Sequence, residues 1–228
     1  MSKPKSPGTC GYCGRVLGRS GMTRHLTSCP RRAEALADAA RSAKKAEGRF
    51  LHFEVRDAWS GEYWLHLEMP ESATLEALDI YLRGIWLECC GHMSQFSIGG
   101  PWGGREVGMD QRVGRAFGAV DELTHVYDFG TESVSRVRLV GERWGAGTTK
   151  RPVALMARND PLDFRCMECD AAATSLCMEC VYDDQSGMLC GAHAENHRHD
   201  DDEEELMPVV NSPRMGVCGY TGPATPPY

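Results

Sequence analysis

Residues 50–70, FLHFEVRDAWSGEYWLHLEMP, decide the fold expected for this 228-residue chain. Apolar and polar side chains alternate over residues 51–55, a Ser60-Gly61 dipeptide interrupts them, and the alternation resumes over residues 63–68. Because successive side chains of a strand point to opposite faces, the pattern predicts a β-hairpin with one apolar face. Pro70, which has no N–H to donate to a ladder, closes the second strand.

The residues after this hairpin predict a helix that packs across it. Thr74 offers an N-cap, and apolar residues recur at helical spacing from Leu75 to Trp86. Further strands are expected at residues 94–98, 126–129, 134–140 and 153–156. Residues 50–160 are therefore interpreted as an α+β domain, with a central mixed or antiparallel sheet and packed helices. Two small zinc-stabilised modules are expected to flank it.

The first of these modules is predicted in residues 1–30. Its four candidate ligands are Cys10, Cys13, His25 and Cys29. The thiols bracket a tight turn, and the last two ligands, spaced i and i+4, share one face of a helix, which is the ligand set of a C2HC zinc finger. Ser20 is expected to cap this helix, and Leu17 and Met22 to form its small core.

An Ala-rich segment, residues 31–49, joins this finger to the central domain. It contains no proline or glycine before Gly48 and is rich in good helix formers. We therefore predict a helical linker with Gly48 as its C-cap.

The second module is predicted in residues 161–228, which supply eight zinc-type ligands and an acidic tail. These ligands are Cys166, Cys169, Cys177, Cys180, Cys190, His193, His197 and His199. Eight donors complete two tetrahedral shells. The short spacing between the two CxxC pairs favours a cross-brace over sequential filling. In that cross-brace, Cys166, Cys169, Cys190 and His193 hold one ion, and Cys177, Cys180, His197 and His199 hold the other. The arrangement is similar to a B-box, a scaffold used for protein contact.

Charge is distributed unevenly along the chain. Residues 1–49 carry eleven Lys and Arg against three Asp and Glu, whereas residues 161–228 carry three against thirteen. Contacts with phosphate are therefore expected only from the N-terminal zone. The candidate nucleic-acid-binding residues are Arg15, Arg19, Arg24, Arg31 and Arg32. Base reading is expected to be poor, because the positions that usually read bases fall near Gly18, Gly21 and Arg24.

The cysteines are interpreted as metal ligands of a cytoplasmic protein and not as disulfides. Residues 1–10 contain two lysines and no apolar run, which does not resemble an export signal. No uninterrupted apolar stretch is long enough to cross a membrane. Cys89 and Cys90 are expected to be small apolar side chains. The histidines at positions 52, 66, 92 and 125 are expected to be ordinary strand or surface residues.

The central domain resembles a known family through a tetrad, Tyr127, Asp128, Phe129 and Gly130. With the preceding hairpin, helix and residues 92–96, this tetrad is similar to the plasmid pRiA open-reading-frame-three-like family, often labelled as insertion-element passenger TnpR proteins. The resemblance implies a folded domain carried on mobile elements and brings no settled activity. From the residues alone, Asp128 is expected to bond to backbone amides of a turn in which Gly130 takes a positive φ.

No catalytic pattern is recognised. HExxH, GxSxG and P-loop motifs are absent from the sequence, and the twelve proposed ligands fill three shells without leaving an open position. The sequence therefore predicts a non-catalytic protein with three Zn²⁺ ions. It would contact a protein partner through the C-terminal module and, weakly, nucleic acid through the finger. A DNA-binding regulator, and an enzyme of unknown reaction in the central domain, are the alternatives.

Overall fold

The computed structural model describes residues 6–41, 47–199 and 206–228. Its centre is a nine-stranded sheet with the order β2-β1-β9-β4-β3-β8-β7-β5-β6, in which neighbouring strands run antiparallel. These strands are β1 (Pro7–Cys10), β2 (Val16–Gly18), β3 (Gly48–Asp57), β4 (Trp64–Pro70), β5 (Ser94–Ile98), β6 (Arg105–Val107), β7 (Glu122–Tyr127), β8 (Ser133–Gly145) and β9 (Ala154–Asn159). The expected α+β class with a large antiparallel sheet is confirmed.

The remaining elements are short. The helices are α1 (Arg19–Ser28), α2 (Pro30–Arg41), α3 (Leu75–Leu82), α4 (Val113–Ala116), α5 (Met178–Tyr182) and α6 (Gly191–Ala194), and a π-helical turn (Arg83–Leu87) continues α3. A separate three-stranded sheet contains β10 (Ser175–Leu176), β11 (Met188–Leu189) and β12 (Met207–Pro208), with β10 in the middle. Among the described residues, no helix has both the length and the apolar character needed to cross a membrane.

One face of the large sheet forms the main core. In the β3–β4 hairpin Phe53 lies opposite Leu67, and both are fully buried beneath α3 and its π-helical extension. Thr74 caps α3 as predicted, its hydroxyl accepting a hydrogen bond from the N–H of Ala77 at 3.3 Å. The apolar residues that alternate in the hairpin and those that recur at helical spacing after it therefore pack in one core.

The opposite face of the sheet is covered by the N-terminal module. Strand β1 pairs with β9, so the finger is joined to the sheet by a ladder of backbone hydrogen bonds. Its Met22 and Leu26 pack with Trp64 of β4, which is completely buried. A Cβ on Gly8 would lie 2.4 Å from the ring of Trp64, so only glycine permits this approach. Strand β4 is consequently buried on both faces, although its sequence alternates like that of a half-exposed strand.

A buried carboxylate holds α2 against this second face. Glu68, only 3% exposed, accepts hydrogen bonds from Arg32 of α2 at 2.7 Å and from Arg143 of β8 at 2.5 and 2.9 Å. The guanidinium of Arg32 also donates to the carbonyl of Leu26 at the end of α1. One carboxylate thus joins the linker helix, the finger and the two strands, β4 and β8, that flank β3.

Two histidines lie beside Glu68 on the same face. Nε2 of His52 and Nδ1 of His66 are 2.8 Å apart, and both side chains are buried. Burial, and then the charge of Arg32, lower the pKa of His52 to about 3. Burial and the neighbouring His52 lower the pKa of His66 to about 3 as well. Both rings are therefore neutral at physiological pH, and one donates its proton to the other.

Local predictions fail at two helix ends. Gly18, in extended conformation, stands at the N-cap of α1, where Ser20 was expected, and it gives no side-chain capping bond. Helix α2 is described as far as Arg41, and Gly48, expected to be its C-cap, begins β3 by pairing with Gly145. The predicted helical residues 42–46 lie outside the described residues.

The C-terminal segment returns to the central domain. Ser212 donates a hydrogen bond to the carbonyl of Trp86 at 2.6 Å, and Arg158 of β9 donates to the carbonyls of Asn211 and Ala224. Residues 211–228 therefore lie on the sheet domain, while the predicted acidic stretch 200–205 falls outside the described residues.

Replacing Glu68 by glutamine should destabilise the protein by about 3 kcal/mol, because two largely buried guanidinium groups would lose their counter-charge. The matched control is Glu142→Gln, which removes an exposed partner of Arg49 and should cost less than about 1 kcal/mol. Urea unfolding followed by circular dichroism measures both. Equal unfolding midpoints for the two variants would contradict the role given to Glu68.

Acid should weaken the fold through His52 and His66. Their folded pKa values of about 3 lie below the usual 6.5. Between these values the unfolded chain binds protons that the folded chain does not, so stability falls as pH falls. From about pH 7.5 to about pH 5.5 the loss should be on the order of 2 kcal/mol. A His52→Gln, His66→Gln double variant should lose less over the same range.

Urea unfolding of both proteins across this pH range gives the comparison. Any release of metal is common to the two proteins and cancels in the difference between their stabilities. Parallel curves of stability against pH would show that this histidine pair does not carry the effect.

Candidate metal centres

Four groups of cysteine and histidine side chains converge in the described residues. Three contain the predicted ligands: Cys10, Cys13, His25 and Cys29; Cys166, Cys169, Cys190 and His193; and Cys177, Cys180, His197 and His199. The fourth contains Cys89, Cys90, His92 and Cys218. In each group the ligand atoms all lie within 4.8 Å of one another, so each group can hold a metal ion.

The finger group is built by a turn and a helix. The N–H of Gly14, which has a φ of +71°, donates to the carbonyl of Cys10 and closes the turn that carries both thiols. Helix α1 then presents His25, and Cys29 follows its last residue. Sγ of Cys13 lies 3.2 Å from Nε2 of His25. A tetrahedral zinc ion, with bonds of about 2.3 Å to sulfur and about 2.0 Å to nitrogen, separates two such ligands by about 3.5 Å.

The first C-terminal group joins the CxxC turn of residues 166–169 to the segment that begins α6. Nδ1 of His193 lies 3.3 Å from Sγ of Cys166, 3.6 Å from Sγ of Cys169 and 3.3 Å from Sγ of Cys190. The sulfurs of Cys169 and Cys190 are 3.9 Å apart, close to the roughly 3.8 Å between two sulfur ligands of one tetrahedral zinc. One nitrogen therefore faces three sulfurs around a common centre.

The second C-terminal group uses the start of α5. Cys177 is the N-cap of this helix, and Cys180 lies in its first turn. Nε2 of His199 is 3.2 Å from Sγ of Cys177 and 3.4 Å from Sγ of Cys180, and Nε2 of His197 is 3.3 Å from Cys180. Nδ1 of His199 lies 3.1 Å from a carboxylate oxygen of Glu179, the type of outer contact that orients a metal-binding imidazole. The two groups interleave along the chain in the cross-brace order.

The thiols of these groups are perturbed in opposite directions. Burial raises the pKa of Cys166, but N–H groups of Cys190, Glu168 and Cys169 outweigh burial and bring it to about 6. Burial and the adjacent Cys177 raise the pKa of Cys180 to about 11. A divalent cation at the centre of each group favours the thiolate form, because it adds a strong positive charge next to the sulfur.

The fourth group was missed by the sequence analysis. Cys90, expected to be a small apolar side chain, is exposed, and Cys89 is half-buried. His92 and Cys218 stand beside them, although more than a hundred residues separate Cys218 from the other three. Only the Cys90–His92 spacing resembles a ligand pattern, and it is too short and too common to predict a site.

The histidines have different surroundings from those expected. Besides the buried His52–His66 pair, His125 is fully buried and lies 2.7 Å from a carboxylate oxygen of Asp79 in α3. Burial raises the pKa of Asp79, but the hydrogen bond and charge of His125, together with Ser94 and Arg83, outweigh burial, so the net shift is downward. This pair links α3 to β7 inside the core and lies among apolar side chains.

The five candidate nucleic-acid-binding arginines differ in their partners and exposure. Arg32 is bound to Glu68, and Arg19 lies 3.7 Å from Glu54 and donates to the carbonyl of Gly61. Arg31 is exposed but paired with Glu34 at 2.8 Å. Arg15 and Arg24 are exposed. Two of the predicted residues are thus engaged in holding the finger to the sheet.

The tetrad of the central domain closes β7. Tyr127, the last residue of β7, is buried, whereas Phe129, which lies beyond the end of the strand, is 39% exposed. Asp128 accepts a hydrogen bond from the N–H of Gly130 at 2.9 Å, as predicted. The positive φ, however, occurs at Asp128 (66°) and not at Gly130. Aspartate tolerates this left-handed conformation better than most residues.

Comparisons with known proteins identify no family. No family model matches the chain, and no curated protein matches it. Among solved structures, a similar chain is the protein of unknown function MM3350 from Methanosarcina mazei Go1, with 18% identity and a TM-score of 0.39 over 46% of this chain. The match covers 66% of that protein, just under two thirds of its length. A likeness at this level leaves the function to be argued from the metal centres.

Proposed function

We propose that this protein is a non-catalytic zinc protein whose metal modules present surfaces to a macromolecular partner. The observation that carries the proposal is the composition of the three predicted groups, each of which supplies four convergent thiol and imidazole ligands from the chain itself. Four protein ligands saturate a tetrahedral zinc ion, whereas catalytic zinc keeps a position for water or substrate. We infer three Zn²⁺ ions at these groups, each stabilising its module.

The cysteine inventory supports a reducing compartment, such as the cytoplasm, for this function. All eleven cysteines are described, and all are free thiols. Thiolate ligation of metal and disulfide formation compete for the same sulfurs, and disulfides are rare in the cytosol. The protein is accordingly proposed to be cytoplasmic.

A protein partner is proposed for the C-terminal module. Tyr182, at the end of α5, is 77% exposed and is followed by Asp183 and Asp184. Exposed aromatic side chains provide much of the energy at protein interfaces. The acidic flank favours a basic partner surface. The resemblance of the tetrad to the pRiA open-reading-frame-three-like family adds the proposal that this partner belongs to a plasmid or insertion element.

Cobalt substitution tests whether the three groups are structural. Replacing zinc by Co²⁺ in a Cys90→Ser, Cys218→Ser background, which leaves the fourth group only two ligands, restricts the signal to the three predicted groups, and the visible spectrum should show tetrahedral thiolate sites. Azide, which binds open cobalt sites, should leave that spectrum unchanged. A spectral shift with azide would reveal an exchangeable position and favour the enzyme alternative. Fewer than three ions per chain in this background would refute the ligand assignment itself.

Contact with nucleic acid is a second candidate function, limited to the finger. It is favoured by the exposure of Arg15 and Arg24 on a strongly basic N-terminal segment. Two or three phosphate contacts give weak, sequence-independent affinity that declines steeply with salt.

Binding to random duplex DNA at rising salt concentration measures this contact. An Arg15→Ala, Arg24→Ala double variant should bind several-fold more weakly, with a shallower salt dependence. Arg49→Ala, which removes an arginine on β3 outside the finger, is the control and should bind like the parent protein. Equal affinity of the double variant and the parent would remove nucleic acid from the proposal.

A further inference from the structure

We propose that Cys89, Cys90, His92 and Cys218 form a fourth metal site, for a thiophilic divalent cation such as zinc, and that its ion fastens the C-terminal segment to the central domain. This site joins parts of the chain that are distant in sequence, whereas each of the other groups lies within one short segment. The proposal does not depend on the three groups of the proposed function.

The distances between the four ligand atoms fit one tetrahedral ion. Sγ of Cys90 lies 3.6 Å from Sγ of Cys89 and 3.8 Å from Sγ of Cys218. Nε2 of His92 lies 3.0 Å from Cys90 and 3.3 Å from Cys218. Sulfur ligands of one zinc ion are separated by about 3.8 Å, and a sulfur and a nitrogen ligand by about 3.5 Å.

The loop that carries three of these ligands is held by the tetrad tyrosine. The hydroxyl of Tyr127 accepts hydrogen bonds from the N–H groups of Cys89 at 3.4 Å and His92 at 3.3 Å, and it donates to Glu88 at 3.1 Å. Glu88 in turn accepts from the N–H of Gly91 at 2.7 Å, and Gly91 has a φ of +84°. The backbone of the loop is therefore fixed without using any ligand side chain, as a preorganised site requires.

The fourth ligand is brought to the site by a buried arginine. Arg214, fully buried, donates to Asp128 of the tetrad at 2.6 Å, and to the carbonyl of Thr131 and the hydroxyl of Ser133 at 3.0 Å each. Its guanidinium also lies over the ring of Tyr127, 4.8 Å from the centroid. Cys218 follows Arg214 by four residues, so this anchor places its sulfur at the loop.

Asp128 belongs to the surroundings of the site. The carboxylate oxygen of Asp128 that accepts a hydrogen bond from Arg214 also lies 3.4 Å from Nε2 of His92. The tetrad thus supports both halves of the site, through Tyr127 on the loop and Asp128 on the segment that carries Cys218. This gives the Tyr127-Asp128 pair a function that a simple turn does not explain.

A metal ion accounts for this group better than a disulfide. A disulfide would use two of the three sulfurs. It would not explain why the third sulfur and the imidazole nitrogen of His92 lie at the same point. Three thiolates around one point repel each other unless a cation lies between them.

Accessibility distinguishes the fourth site from the other three. None of its three cysteines is buried, whereas each other group has two buried cysteines, although Cys13 and Cys169 of those groups are exposed. Water and chelators reach the fourth site most easily, so its ion should be the first to leave and the first to return. Loss of that ion would release the hold on the C-terminal segment near Cys218.

Metal analysis of the full-length protein, purified with zinc, tests the site. Cys218→Ser and His92→Ala should each bind one ion fewer per chain than the parent. Met93→Ser changes an exposed residue immediately after His92 and should bind as many ions as the parent. The test compares the number of bound ions in each variant with the number in the parent. Its result therefore does not depend on how many of the three predicted groups hold an ion.

Hydrogen exchange and thiol alkylation give independent readouts. Mild chelation of the parent, and the Cys218→Ser substitution, should speed amide exchange in residues 211–228 while leaving α3 protected. Cys218 should react slowly with iodoacetamide in the zinc-loaded parent and quickly after chelation. Unchanged metal content in Cys218→Ser and His92→Ala, equal alkylation rates with and without zinc, or an intact mass showing a Cys90–Cys218 disulfide would each overturn the proposal.

Discussion

The double burial of strand β4 is the constraint on which this architecture depends. One face of β4 lies on the apolar core under α3, and the other lies under the finger and α2. A strand covered on both sides would usually be apolar throughout, but here its second face carries His66 and Glu68. These polar groups are tolerated because each has a buried partner: His52 for the imidazole, and Arg32 and Arg143 for the carboxylate. The finger therefore forms the cover of the buried second face of β4.

This arrangement extends what a metal ion in the finger would stabilise. In an isolated finger, the ion organises only its own small core. Here Cys10 and Cys29 lie in the same buried cluster as Trp64, Met156 and Ala157 of the sheet. Because α1 must be held in position for Met22 and Leu26 to cover Trp64, the finger's ligands support the packing of the second face.

The sequence was sufficient for the local features of the fold. The period-two pattern of residues 50–70, the Thr74 cap and the CxxC spacings depend on neighbouring residues, and the structure contains each of them. It was insufficient where a residue's environment is supplied from far along the chain. The alternation of β4 could not show that the finger would cover its polar face, and Cys89 and Cys90 gave no sign of a ligand role. Cys218 lies beside them because hydrogen bonds from Ser212 to Trp86 and from Arg214 to Asp128 hold the C-terminal segment on the central domain.

The pairing of β1 with β9 has a consequence for biosynthesis. Strand β1 can pair with the nearby β2 at once, but Thr9 also lies opposite Arg158, so the second neighbour of β1 is synthesised about 150 residues later. Structures dominated by such distant pairings have high contact order and fold slowly. As the chain leaves the ribosome, the ligands of the finger group are complete once Cys29 has been made, but β1 cannot join the central sheet until β9 has emerged. During that interval Trp64 and its apolar neighbours lack their full cover, and exposed apolar surface of this kind favours aggregation of a partly folded chain.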